Sequence, residues 1–104
     1  MTDKEKIKKA FVHLRNVGYF ARMNFMCCQG CGWAAVPKGK KKKVVFYHKQ
    51  DADSFDDNGN LKRHMFLAWA GDKKIISEIL KMVGLKVKVP KNENTRVELI
   101  GYGD

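Results

Sequence analysis

The stretch Lys43-Val44-Val45-Phe46-Tyr47-His48-Lys49 decides the fold class. β-Branched and aromatic side chains run through it without a glycine or proline, which is the composition of a strand. On its C-terminal side, residues 50–60 (QDADSFDDNGN) read as an acidic, turn-rich loop whose firmest turn is Asn58-Gly59. Residues 62–69 then supply another strand. On its N-terminal side, Pro37-Lys38-Gly39-Lys40-Lys41-Lys42 reads as a hairpin tip, and residues 32–36 (GWAAV) as the short strand leading into it.

Helices flank this β-rich centre. Thr2 with Glu5 three residues on is a capping box, and Ile7, Ala10, Phe11, Leu14 and Val17 recur at helical spacing, so residues 2–17 read as an amphipathic helix stopped by Gly18. Residues 19–26 fit either an extended segment or a helical turn. Gly71-Asp72 opens a second helix, with Ile75, Ile76, Ile79, Leu80 and Val83 inward and Gly84-Leu85 as its stop. Val87 and Val89 alternate with Lys86 and Lys88 as a half-buried strand, and residues 95–101 return as the last one. The expected order is α-β-β-β-α-β-β: an α+β fold, mainly antiparallel sheet with two helices packed on it, in a single domain over residues 1–104.

Composition narrows the function classes. Apolar residues make up 44% of the 104, enough for a folded core. The N-terminus alternates charges and lacks an apolar core segment, so it is no secretory signal, and no apolar run reaches membrane-spanning length. Three cysteines without an export signal point to reduced thiols in the cytoplasm. Lysine and arginine number 21 against 11 acids, a net charge of +10 that suits nucleic acid or an acidic protein partner. Lys38, Lys40, Lys41, Lys42 and Lys43 would form a basic finger able to track phosphates, and Lys4, Lys8 and Arg15 a basic face on the first helix. A solvated, edge-blunting turn is the plainer reading of the same lysines.

One constellation carries chemistry. Cys28-x-x-Cys31 has the spacing of a metal knuckle or a redox pair, but structural zinc takes four ligands and no second such pair exists. Closing the hairpin with Val36 opposite Lys43 sets Trp33 against Phe46 and Cys31 against His48, within reach of a shared ion. Pairing Phe46 with Phe66 adds His64 beside His48. Adjacent side chains in extended backbone diverge, so one of Cys27 and Cys28 at most would join. Buried structural thiols, zinc on Cys28, Cys31, His48 and His64, and a Cys–His dyad oriented by Gln50 or Asp51 all fit this pattern. The aspartates at 51, 53, 56 and 57 do not make a calcium loop, because Phe55 falls where an oxygen ligand is needed. Phosphate-loop, helix-turn-helix and serine-hydrolase signatures are missing.

Three segments, Asn24-Phe25-Met26-Cys27-Cys28-Gln29-Gly30-Cys31-Gly32, Val45-Phe46-Tyr47-His48-Lys49-Gln50-Asp51 and Phe66-Leu67-Ala68-Trp69-Ala70-Gly71, resemble an uncharacterised bacterial domain family with a CC-x-x-CG … FYH-x-QD pattern. The resemblance implies a shared fold and a shared site, and no activity. His64 and the lysine run lie outside that pattern, which leaves Cys27, Cys28, Cys31, His48, Gln50 and Asp51 as the implied grouping. The sequence as a whole reads as a small basic binding module rather than an enzyme. A phage-borne or regulatory accessory protein fits its size and charge. The alternative is a zinc- or thiol-dependent site built on Cys28, Cys31 and His48.

Overall fold

A computed structural model describes residues 1–103. Helix α1 spans Asp3–Asn16. The Glu5 amide donates to the Thr2 hydroxyl and the Thr2 amide to the Glu5 carboxylate, so the capping box is closed. Ile7, Ala10, Phe11 and Leu14 are fully buried, whereas Val17 lies past the last turn and is exposed. Gly18 ends the helix at φ +95°, a conformation that a residue with a Cβ rarely adopts. Strand β1 (Phe20–Arg22), helix α2 (Gln29–Ala35), a 3₁₀ turn (Lys38–Lys40) and strand β2 (Val44–Phe46) follow. A second 3₁₀ turn (Asp51–Ser54), β3 (Met65–Ala70), α3 (Lys73–Met82), β4 (Val87–Lys88) and β5 (Val97–Leu99) complete the chain.

The five strands form one sheet in the order β1-β2-β3-β5-β4, antiparallel except for β1 beside β2. The α+β class therefore holds. Alternation divides the side chains between two faces. Val45, Tyr47, Met65, Leu67, Trp69, Val97 and Leu99 meet α1 and α3 in the main core. On the opposite face, Val44, Phe46 and Ala68 pack with Val36, Trp33, Phe20 and Phe25 beneath α2. The second face is covered only over its β1-β2-β3 half. Farther along it Phe66 is exposed beneath the Arg96 guanidinium, which sits 5.1 Å from the ring centroid.

Residues 32–36 are not a strand. Residues 32–35 close α2 and Val36 caps it in extended backbone; Ala34 and Ala35 favour helix, and Gly32 lets the backbone settle onto Phe46, where a Cβ would collide with the ring. Trp33 still meets Phe46 edge to face at 5.4 Å, as helix-on-sheet packing in place of a hairpin pair. The lysine run is accordingly a connector between α2 and β2, and the parallel partner of β2 is β1. Phe46 opposes Ala68, two residues from the expected Phe66, so the faces survive the shift while the neighbours change. In α3, Ile75 is exposed and Ser77 is buried in its place, because the inward stripe runs through Ile76, Ser77 and Leu80. Among the described residues no helix is long and apolar enough to cross a membrane.

Candidate metal centre

The loop between β1 and α2 continues alongside β2. The Phe25 amide donates to the Tyr47 carbonyl at 2.7 Å, and the Lys49 amide to the Met26 carbonyl at 3.0 Å. Asn24 and Met26 hold left-handed backbone (φ 51° and 62°), which asparagine adopts readily and methionine rarely. These two residues swing the chain off the sheet edge and onto the Phe46 face. Cys28 then caps α2 in extended backbone, its carbonyl accepting from the Gly32 amide at 2.9 Å.

The result is a cluster of three thiols. The sulfurs of Cys27, Cys28 and Cys31 all lie within 4.8 Å of one another, with Cys27 and Cys28 separated by 4.0 Å. Cys27 therefore joins Cys28, against the expectation that neighbouring residues diverge. That rule belongs to continuous strand, and the backbone here breaks at Met26 and re-forms as a helix start. Cys27 and Cys31 are exposed, and Cys28 is half-buried. The backbone N–H and thiol of Cys31, then the Cys27 thiol, stabilise the Cys28 thiolate and hold its pKa below that of an ordinary thiol. Facing the sulfurs of Cys27 and Cys28, Cys31 is pushed up to about 11. The trio thus has one sulfur inclined to lose its proton first and another inclined to keep it.

His48 and His64 lie outside this group. The buried His48, 8% exposed, continues the Val44–Phe46 strand. Its Nε2 stands 3.3 Å from Asp51 Oδ2, and its buried Nδ1 has no hydrogen-bond partner among the described residues. Of the two orienting groups considered from sequence, Asp51 holds the ring and Gln50 is exposed. His64 belongs to another neighbourhood. Its Nδ1 accepts from the Gly101 amide at 3.0 Å, and its Nε2 lies 3.9 Å from Glu98. The two-residue register shift removes the reason for placing it beside His48.

The basic residues divide. Arg15 and Lys40 line a cleft of about 300 Å³ with Arg22, Tyr19, Phe20 and Pro37, and Arg22 stacks 4.4 Å above the Phe20 ring. Lys43 lies 5.7 Å from the Tyr19 ring beside them. Arg22 was not foreseen, since its place depends on β1 being the neighbour of β2. Lys38, Lys41 and Lys42 are exposed on the connector. Lys4 and Lys8 border a different cleft of about 620 Å³, shared with Glu5, Asp56, Tyr47 and Phe55. In the acidic loop, Asp56 accepts from the Asn58 and Asn60 amides and from the Tyr102 hydroxyl, the behaviour of a turn.

No curated protein and no solved structure matches this chain. A family description does match, over residues 1–101, and the family it describes is uncharacterised, as the resemblance implies. The chain belongs to the family described as Domain of unknown function (DUF6891).

Proposed function

We propose that this chain, acting as one domain, binds a single zinc-like ion through Cys27, Cys28 and Cys31. The observation that carries the reading is the approach of three thiols to within 4.8 Å on a glycine-flanked helix start. Tetrahedral zinc holds its sulfurs at about 2.3 Å, which sets them about 3.8 Å apart, so the trio needs only to tighten. Among the described residues nothing comes within 4 Å of the position a Cβ would take on Gly30, so the turn between Cys28 and Cys31 is open on that side. Three thiolates select a soft or borderline cation over calcium or magnesium, whose ligands are oxygens. The lowered Cys28 pKa favours first capture, and binding must then expel the Cys31 proton.

Thermal melting tests this. An ion that binds the folded chain alone raises its Tm by mass action. Reduced protein should melt higher with a slight excess of zinc than with a chelator, and Cys31→Ser should abolish the difference. Equal melting temperatures for wild-type protein in zinc and chelator would remove the proposal.

A second reading, that the basic surface engages the phosphates of nucleic acid, is favoured by one observation. Arg15, Arg22 and Lys40 converge on one cleft beside the exposed lysines of the connector. Affinity for an oligonucleotide should then fall with salt, by about 0.7–0.9 in a log–log plot per phosphate contacted. Lys38→Ala, Lys40→Ala, Lys41→Ala and Lys42→Ala together should flatten the slope. Absence of binding at low salt would turn attention to an acidic protein partner.

A further inference from the structure

We infer that His48 is the fourth ligand of the cysteine centre, binding through Nδ1 while Asp51 holds its Nε2–H. This rests on the three-cysteine reading above and adds the donor that a tetrahedral site still lacks.

Packing of α2 on the sheet brings His48 under the cysteines. Val36 and Val44 share one cluster with Phe46, and the Gly32 backbone lies against the Phe46 ring. Four residues of helix rise about 6 Å, and two residues of strand rise about 6.7 Å. Stepping back four residues along α2 while stepping on two along β2 keeps the elements in register: Val36 over Val44, Gly32 over Phe46, Cys28 over His48. A second relation fixes the same end. The β2–β3 register runs Val44↔Ala70 and Phe46↔Ala68, which carries His48 level with Phe66. Gln29, next to Cys28, lines one cleft with Phe66. The start of α2 therefore stands above the His48 level of the sheet.

The ring is already dressed for the task. A neutral imidazole carries one N–H and one lone pair. Asp51 Oδ2 stands 3.3 Å from Nε2, which makes that nitrogen the one suited to carry the N–H, and the Asp51 amide in turn donates to the His48 carbonyl at 3.1 Å. That leaves Nδ1 with its lone pair, buried and without a hydrogen-bond donor among the described residues. A carboxylate on the outer nitrogen and a free inner nitrogen is the arrangement of metal-bound histidine. His48 stands outside the 4.8 Å group of sulfurs. Cys27 and Cys31 are exposed and the ring is packed, so closure moves the cysteine loop down onto the ring.

X-ray absorption on the zinc-loaded, reduced full chain reads the ligand set directly, and cobalt(II) titration reads its consequences. The expected result is three sulfurs and one imidazole at zinc. Cobalt affinity should fall by about 10–100-fold in Asp51→Asn, the loss typical of an outer partner, and at least as far in His48→Ala. Zinc bound by the wild-type chain without imidazole scattering would overturn the assignment and leave the cysteine trio standing. Unchanged cobalt affinity and spectrum in His48→Ala would do the same. Wild-type protein that takes up neither metal would overturn both readings. Should His48→Ala fail to fold, the wild-type absorption spectrum decides alone.

Discussion

Cys28 and Cys31, three positions apart, have pKa values displaced in opposite directions, down for Cys28 and up to about 11 for Cys31. The thiolate is the nucleophile, so a limiting alkylating reagent at neutral pH should modify Cys28 well before Cys31 in metal-free protein. Zinc should protect both. Peptide mapping after timed quenching checks the order, and equal labelling would show that the hydrogen bonds around Cys28 do not persist in solution. The spacing of these two residues was legible in the sequence, as was the candidacy of His48 and Asp51. The membership of Cys27 beside Cys28 came only through the family resemblance, since the residues alone admitted one of the two at most. It depends on left-handed backbone at Met26, which no glycine announces. The unpartnered His48 Nδ1 was likewise invisible, because it results from which atoms the fold brings near and which it keeps away.

Helix α2 is the element on which the site depends, and it was the one misread. Gly32-Trp33-Ala34-Ala35-Val36 carries two residues with strand preference and two with helix preference, and seven residues of helix are too few to show a period. Tertiary contact decides the matter through Gly32 on Phe46. Gly32→Ala should lift α2 from the sheet and destabilise the fold by about 1–3 kcal/mol, the usual range for overpacking. Urea denaturation measures it, and a loss under about 0.5 kcal/mol, that of an ordinary surface change, would contradict the packing. Helices α1 and α3 were readable because their caps and stops are local: Thr2 with Glu5, Gly18, Asp72 and Gly84. The exchange of Ile75 for Ser77 on the inner stripe was not, since a polar residue on a buried face gives no hydrophobic signal.

Across the whole molecule, the two sheet faces have different work. The α1–α3 face holds the main core, and Tyr47 lies within it with its pKa pushed up to about 12, by burial first and the Asp51 charge second. A folded pKa above the unfolded value of 10.0 means that this contribution to stability is complete below pH 10 and disappears as pH climbs toward 12. Denaturation at about pH 9 and about pH 11 should show a loss near 1 kcal/mol in wild-type protein that Tyr47→Phe largely lacks. Parallel curves for the two proteins would contradict the burial. The other face carries α2 and the cysteines, and the sequence pointed to its residues through a hairpin that does not form. Trp33 meets Phe46 all the same, because both are large apolar groups that need the same cover. Net charge and fold class were legible from composition and periodicity alone. The division of the basic residues between two clefts was not, since it follows from β1 lying parallel to β2. Equilibrium dialysis of the reduced chain against zinc with a competing chelator measures whether the three thiols hold a metal. One equivalent retained by wild-type protein and lost in Cys28→Ser is the predicted result; a wild-type chain that retains none, with its three thiols free, would contradict it.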